Sequence, residues 1–365
     1  MANLNKLLEI CIEENASDLH LTVGKPPTLR VDGKLKQIEK IPLSSEETEA
    51  LVKDITPQDH LKKIEEAGGD DFGFTFKEKI ARFRASIYKQ KGFYGLALRL
   101  IPSKLLTFEE IGLPDIIKDL MSRPRGLVLV AGPTGCGKTT TLASMIDFIN
   151  ANRDCHIITI EDPIEYFHEH KKSIITQREV GRDVSSFAEA IVRSLRSNPD
   201  VILVGEMRDL ETMKAAIMAA ETGHLVFATL HTNSAAQTVD RIINVFPPSE
   251  QEQIRIQLST SILAILCQQL LIKADGKGRA AAFELMFTTS SIQNLIRDKK
   301  NFRITSEIQT GAKLGMKTFD TSLYQLVKKG VISDQTALEK AFDPEALIAR
   351  LTEKGKRCLS PFKKQ

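Results

Sequence analysis

The sequence predicts an α/β protein in which a small α+β domain precedes a mostly parallel, helix-covered sheet and a helical C-terminal region. Three observations predict this arrangement. Segments near the N-terminus alternate between apolar and polar residues, as strands with one exposed face do. Four later segments, GLVLVA, HIITIE, VILVG and HLVFATL, are continuous apolar runs, which are typical of strands buried on both faces. From about residue 285 onward only helical spacing recurs.

The composition is that of an ordinary globular protein. Of the 365 residues, 42% are hydrophobic and 27% are charged, which predicts two or three domains. The net charge of +3 gives no reason to expect nucleic acid as a partner. The five cysteines form no C-x-x-C pair, and no stretch approaches the ~18 apolar residues of a membrane span. We therefore expect a cytoplasmic protein without direct membrane insertion.

The sequence pattern of residues 1–101 predicts the small α+β domain. NLNKLLEICIEE and SSEETEALVKDI have helical spacing, and the second begins with serines and acids that suit a helix start. SDLHLTV alternates like a strand, and PTLRVDGKLKQI predicts a hairpin that turns at Asp32 and Gly33. DFGFTF, ARFRASIY and GLALRLIP also alternate, which indicates an antiparallel sheet.

The rest of the chain divides into three further segments. Residues 102–114 contain two prolines and no clear period, so we expect a linker. Residues 115–284 contain the continuous apolar runs and predict the sheet-containing core. Residues 285–365 predict a helical region that ends in a lysine-rich, solvated tail.

A phosphate-binding loop is predicted directly after the run GLVLVA. The segment from Gly132 to Thr139 fits G-x-x-x-x-G-K-[ST] and opens a helical segment, a context that argues against a glycine-rich turn that matches by chance. Lys138 is expected to reach the β- and γ-phosphates, and the Thr139 hydroxyl to bind Mg²⁺. The absence of an N-K-x-D motif favours ATP over GTP. The predicted nucleotide-binding residues are Gly132, Pro133, Thr134, Gly135, Cys136, Gly137, Lys138, Thr139 and Thr140.

Acidic residues follow two of the buried runs. Ligands bind at the carboxyl ends of parallel strands. Glu206 is therefore predicted as the catalytic base, and Glu161 and Asp162 as candidate Mg²⁺ ligands. The alternatives are a solvated loop for Glu161 and Asp162, and a helix cap or ion pair for Glu206. His231 ends the run LVFATL, where a histidine can hydrogen-bond a γ-phosphate, and His224 precedes that run.

These motifs carry a resemblance to a known family. GPTGCGKTTT, ITIEDPIE, NPDVILVGEMRD and GHLVFATLHTNSA follow the order and spacing of the secretion ATPases, and the chain resembles most the retraction ATPases of type IV pili. The resemblance covers essentially the whole chain. It implies a RecA-like core, a PAS-like N-terminal domain and a homohexameric ring. The ring is expected to hydrolyse ATP at the cytoplasmic face of the inner membrane, to act on a pilus platform protein and to drive pilus disassembly.

The resemblance also assigns roles to single residues. Glu206 matches the Walker B glutamate, Glu161 the acid of the Asp box, and His224 and His231 the His box. Arg84 and Arg99 match arginines that approach the γ-phosphate of a neighbouring subunit. Strand alternation separately places Arg84 opposite the apolar face of its strand, so these arginines are expected on one polar face. The alternative is a solvated basic face.

Two segments depart from the family pattern. RSNPDVILVG has Ser197 and Asn198 where glutamine and aspartate are expected. SSIQNLIRD has Ser291 and Gln293 where the family has alanine and arginine in A-I-R-N-L-I, a segment associated with retraction. The tetracysteine zinc site of the extension ATPases is absent, which favours retraction. Three alternatives remain open at this point: an accessory retraction ATPase, an extension or secretion ATPase, and a nucleotide-gated scaffold with little turnover.

Overall fold

The computed structural model describes residues 3–31, 33–77, 81–101 and 105–353. It divides into a first unit, Met1–Leu105 with Asp162–Phe167, and a second unit, Leu106–Glu161 with His168–Gln365. Residues 162–167 therefore pack with the first unit, although they lie far along the chain from the rest of it. Asp32 of the predicted hairpin turn and the C-terminal tail lie outside the described residues.

The first unit is an antiparallel sheet with helices, as predicted. Its elements are α1 (Leu4–Glu13), β1 (Asp18–Thr22), β2 (Thr28–Val31), β3 (Lys34–Gln37), α2 (Ser45–Ile55), α3 (Gln58–Ala67), β4 (Gly69–Phe76), β5 (Ala81–Gln90) and β6 (Phe93–Ile101). Within the described residues the strand order is β3-β2-β1-β6-β5-β4. Ser44 and Glu47 form a capping box at the start of α2.

The buried face of this sheet follows the predicted alternation. Phe83, Ala85 and Ile87 of β5 are buried, and they pack in one core with Leu19 of β1 and Leu98 of β6. The intervening side chains of β5 therefore emerge on the opposite face.

The second unit contains a mostly parallel sheet. Its first elements are α4 (Phe108–Ile111), α5 (Ile117–Met121), β7 (Gly126–Ala131), α6 (Lys138–Asn152), β8 (His156–Glu161), β9 (Ile174–Glu179), α7 (Phe187–Ser194), β10 (Val201–Val204), α8 (Leu210–Glu221) and β11 (Leu225–Leu230). They are followed by α9 (Ala235–Val245), α10 (Gln251–Ser261), β12 (Ile262–Ile272), β13 (Arg279–Phe287), α11 (Ser290–Arg297), α12 (Ile304–Thr310), α13 (Phe319–Lys328), α14 (Asp334–Lys340) and α15 (Pro344–Glu353).

Strand order in the second unit places the phosphate loop centrally. The order is β13-β12-β7-β11-β10-β8-β9 within the described residues, and only the β12–β13 pairing is antiparallel. The four apolar runs named from the sequence form β7, β8, β10 and β11, as predicted. The sequence pattern did not identify β12, because its apolar run directly follows α10 and a short apolar run fits a helix or a strand equally well.

Two boundaries differ from the predictions. The expected linker contains α4, whose capping box joins Thr107 and Glu110 and whose Phe108 is buried in the core of the second unit. The helical region begins after β13 ends at Phe287 rather than at residue 285. At both boundaries the segment that differs is only a few residues long, which is too short for the spacing of its apolar residues to indicate a helix or a strand.

Candidate functional site

Glycine geometry shapes the loop between β7 and α6. Gly132, Gly135 and Gly137 have φ angles of 147°, 76° and 90°, a region that favours glycine. A Cβ atom on Gly132 would lie 2.3 Å from the carbonyl oxygen of Gln268, so no larger residue fits there. The loop leads into α6 at Lys138, whose position at the helix N-terminus places backbone N–H groups and partial positive charge at the loop.

Lys138 lies across this loop. Its Nζ donates to the carbonyl oxygens of Gly132 and Pro133, at 2.8 and 3.2 Å. Burial lowers the pKa of Lys138, against the opposing effects of Cys136 and the Glu206 carboxylate. A desolvated cation hydrogen-bonded to the loop suits an anionic ligand, because the attraction between charges grows as water is excluded.

The parallel register brings the predicted acids to the same sheet edge. Val204 of β10 pairs with Ile160 of β8, so Gly205 and Glu206 leave the sheet beside Glu161. Leu230 of β11 pairs with Ala131 of β7, so His231 leaves the sheet beside the phosphate loop. Glu161, Glu206, His231 and the loop therefore all lie at the carboxyl edge of the sheet of the second unit.

Glu206 is held by two basic side chains. Its Oε1 lies 2.7 Å from Nε of Arg208 and 3.2 Å from Nε2 of His231. Burial raises the pKa of Glu206, but Arg208 and His231 outweigh burial and hold the pKa below its ordinary value. Glu206 is thus an ionised acceptor near neutral pH. The sequence did not indicate Arg208, although its spacing from Glu206 within one loop is a signal that could have been read.

Glu161 is buried and oriented by neighbours. It is 8% exposed, and its Oε1 accepts hydrogen bonds from Thr159 at 2.7 Å and Gln177 at 3.3 Å. Thr139 is half-buried in the first turn of α6. Asp162 is exposed and belongs to the first unit, whereas Glu161 belongs to the second.

His224 does not lie at this edge. It precedes β11, its ring Nδ1 lies 3.0 Å from the carbonyl oxygen of Ala219, and its own carbonyl accepts from Gly126 at the start of β7. His231 follows the same strand, and a strand of this length separates the two histidines by roughly 20 Å. The structure therefore does not bring His224 together with Glu206 and His231, because His224 occupies the opposite edge of the sheet, and its catalytic role stays a prediction.

The first unit aligns its arginines in one row across the sheet. Arg84 of β5 pairs directly with Arg99 of β6, Arg99 pairs with Asp18 of β1, and Asp18 pairs with Arg30 of β2. Residues directly opposite one another in a sheet project on the same face. The side chains of three arginines and one aspartate therefore share the polar face of this sheet, where alternation placed Arg84 and Arg99.

The carboxylates of Asp18 and Asp71 each accept a hydrogen bond from an arginine of this row. Nε of Arg99 donates to Oδ1 of Asp18 at 3.0 Å, and Nη2 of Arg84 donates to Oδ2 of Asp71 at 3.1 Å. Burial raises the pKa of Asp18, but hydrogen bonds from Ser17 and Arg99 outweigh burial and lower it. The Arg99 side chain remains 63% exposed. Asp18 was not predicted as a site residue, and the alternation of SDLHLTV was its only signal in the sequence.

The fold and the loop define a class: an α/β protein with a P-loop. The model of the family described as Type II/IV secretion system protein matches residues 1–292. Among the described residues, no helix combines the length and the apolar character that crossing a bilayer requires.

Two curated relatives and one solved structure are similar over nearly the whole chain. The type IV pilus retraction ATPase PilT of Pseudomonas aeruginosa is 50% identical, over 94% of this chain and 99% of its own length. The type IV pilus ATPase PilU of the same organism is 43% identical, over 92% and 88%. A crystal structure of the pilus retraction motor PilT with bound ADP has a TM-score of 0.87 at 47% identity, covering 96% of this chain and all of that one. The chain belongs to the type II/IV secretion system protein family.

Proposed function

We propose that this protein is an ATP-hydrolysing motor that powers retraction of type IV pili. The observation that carries the proposal is 50% identity to a pilus retraction ATPase along almost the full length of both chains. The P-loop geometry and the acids at the same sheet edge are the parts that ATP hydrolysis needs. The similar PilT structure contains ADP, which supports a nucleotide at this loop.

Each residue at the carboxyl edge has a chemical task in this proposal. The backbone N–H groups of residues 132–140 and the Lys138 ammonium bind the phosphates. Glu206 orients the attacking water, since its lowered pKa keeps the carboxylate ionised and able to accept a proton. His231, whose Nε2 lies 3.2 Å from Oε1 of Glu206, would hydrogen-bond the γ-phosphate.

The donors near the loop suit Mg²⁺. The described residues contain no group of three or more His, Cys, Asp and Glu side chains arranged to hold a metal ion. Mg²⁺ is usually bound by one or two protein oxygens together with phosphates and waters. The Thr139 hydroxyl and the Glu161 carboxylate provide such oxygens, and bound Mg²⁺ would neutralise charge on the β- and γ-phosphates. Asp162 is the weaker candidate because it packs with the other unit.

The arginine row supplies the proposed contact between subunits. In a homohexameric ring, Arg84 and Arg99 would approach the γ-phosphate held by a neighbouring subunit and stabilise charge in the transition state. Movement of the first unit would then open and close each site and couple hydrolysis to displacement. The proposed place of work is the cytoplasmic face of the inner membrane, on a pilus platform protein.

An accessory retraction role is the second candidate. It is favoured by 43% identity to PilU and by Gln293, which is half-buried in α11 where the family pattern has arginine. Imaging of labelled pili in a piliated strain that lacks its retraction ATPases distinguishes the two. A principal motor restores retraction by itself, whereas an accessory motor restores it only together with a second retraction ATPase.

ATP turnover by the purified protein tests the enzymatic part. We expect Lys138→Ala to abolish turnover and weaken nucleotide binding, because it removes the buried cation at the loop. Lys172→Ala, which removes an exposed lysine of the same unit, is the matched control and should behave like the unmodified protein. Ordinary turnover by Lys138→Ala would contradict the proposal. Absence of turnover in the unmodified protein, when that protein is folded and binds ATP, would also contradict it and would indicate a scaffold.

A further inference from the structure

A buried glutamine packs against the phosphate loop from a strand that the motif does not include. Gln268 lies in β12, next to β7, and follows Cys267, which pairs with the last residue of β7. It is 2% exposed in a strand that is otherwise largely apolar. Burying an amide costs free energy unless its donor and acceptor are both satisfied, so its hydrogen bonds decide what it does.

Both ends of the Gln268 amide bind the loop and the helix that follows it. Nε2 donates to the carbonyl oxygen of Cys136 at 2.7 Å, and Oε1 accepts from the Thr141 hydroxyl at 2.8 Å. The two partners require opposite ends of the amide, which determines its orientation. Gln268 therefore connects the middle of the phosphate loop to the first turn of α6.

The bond to Cys136 has a consequence for the next N–H group. The Cys136 carbonyl and the Gly137 N–H belong to one trans peptide unit, in which the C=O and N–H vectors point in opposite directions. Holding the carbonyl against β12 directs the Gly137 N–H away from β12. A Cβ on Gly137 would lie 2.9 Å from Nε2 of Gln268, so a larger residue there would displace this amide, and the φ of 90° separately favours glycine.

We propose that Gln268 is a positioning residue that orients the Cys136–Gly137 peptide so that its N–H can bind a phosphate of ADP or ATP. The inference rests on the proposed nucleotide binding at this loop. Gln268 contacts the loop rather than the nucleotide, and it acts by preventing rotation of a peptide flanked by the flexible Gly135 and Gly137. Preorganised N–H groups bind an anion more tightly because less ordering is needed on binding.

Affinity for ADP tests the proposal in the full-length protein. Gln268→Leu keeps the volume but removes both hydrogen bonds, and we expect ADP binding to weaken about tenfold. Gln269→Leu, at the half-buried neighbouring position that projects to the opposite face, is the matched control and should retain ADP affinity. Unchanged ADP affinity in Gln268→Leu would overturn the inference.

The Gln268→Glu variant separates peptide orientation from packing. A protonated carboxyl group has a donor and an acceptor, as the amide has, whereas an ionised one cannot donate to Cys136. We expect ADP affinity of this variant, relative to the unmodified protein, to recover as the pH falls from about 8 to about 5.5, because burial raises a carboxyl pKa into this range. Gln268→Leu should show no such recovery.

The outcomes are distinguishable from failure of the proposed function. If both Gln268 variants weaken ADP binding equally at every pH, restoring a donor and an acceptor at this position does not restore binding, and the inference that these hydrogen bonds orient the peptide is wrong. If Lys138→Ala binds ADP as tightly as the unmodified protein, the nucleotide site itself is wrong. If Lys138→Ala binds ADP weakly and Gln268→Leu binds it as the unmodified protein does, the positioning role of Gln268 is contradicted and the proposed nucleotide site is not.

Discussion

The phosphate loop of the second unit and the arginine row of the first both present groups suited to an anion, but they are built differently. The loop consists of consecutive residues, and Lys138 at its end is only 9% exposed and bonded to loop carbonyls. The row consists of residues from separate strands, and Arg99 is 63% exposed. The loop is thus a preorganised binding site within one chain, whereas the arginines are oriented by carboxylates but leave much of their guanidinium surface accessible.

This difference suggests different tasks. A buried lysine and backbone N–H groups exclude water and suit tight binding. An exposed arginine anchored through Nε suits a surface that meets a second molecule, and Arg99 is bound at Nε by Asp18 while its side chain remains 63% exposed. We therefore expect changes at the loop edge to act within a chain and changes in the row to act between chains.

The largest effect is expected at the loop edge. Glu206→Gln should retain ATP binding while turnover falls by up to about 10⁴-fold, because the amide cannot accept a proton from water. Binding of a fluorescent ATP analogue and phosphate release are the two measurements. Glu211→Gln, an exposed acid in α8, serves as the control. Loss of ATP binding in Glu206→Gln would instead assign this residue to Mg²⁺ or to structure.

In the arginine row, Arg84→Ala should lower turnover by on the order of 10³-fold with little change in ATP affinity. The reason is that this variant removes charge stabilisation in the transition state. Lys89→Ala, an exposed cation of the same strand, is the control.

Mixing shows whether Arg84 acts between chains. Arg84→Ala mixed with Glu206→Gln should recover activity, because some interfaces then join an intact Arg84 to an intact Glu206. If mixed rings form and remain as inactive as either variant alone, the arginine acts within its own subunit and the comparison between the two regions fails.

A smaller effect is expected for the anchor of the row. Asp18→Asn removes the charge that holds Arg99, and we expect kcat to fall about tenfold while KM for ATP stays unchanged. Glu14→Gln, an exposed acid of the first unit paired with Lys36, is the control. The loss should be non-additive with Arg99→Ala, and a rise in KM without a fall in kcat would contradict a role through Arg99.

The smallest effect concerns stability against pH. The pKa of Asp18 is lowered in the folded protein, so its charge stabilises the fold above the unfolded pKa of about 3.9 and that contribution is lost as the pH falls through the lower folded value. The unmodified protein should resist urea better than Asp18→Asn at about pH 6, and the gap in urea resistance should narrow as the pH falls below about 3.9. A gap that does not narrow below this pH would show that the charge of Asp18 is not its source.

Several features could be predicted from short stretches of sequence. The phosphate loop requires consecutive residues, and the paired arginines on a polar face follow from a period of two, so both are local properties. The placement of Glu206, Glu161 and His231 at one edge follows from the rule that parallel strands share a carboxyl edge. His224 and His231 belong to one motif in sequence, but the strand between them places them at opposite edges of the sheet.

The sequence by itself determined where the phosphate loop lies, which segments form the buried parallel strands, and which face of β5 presents Arg84. Only the tertiary structure decided that Gln268 reaches Cys136, that Asp18 holds Arg99, and that Arg208 pairs with Glu206. The physical reason is that the first set depends on backbone geometry and periodicity over a few residues. The contacts of Gln268 and Asp18 depend on the register between strands distant in the chain, and that of Arg208 on the path of a loop, neither of which a local pattern specifies.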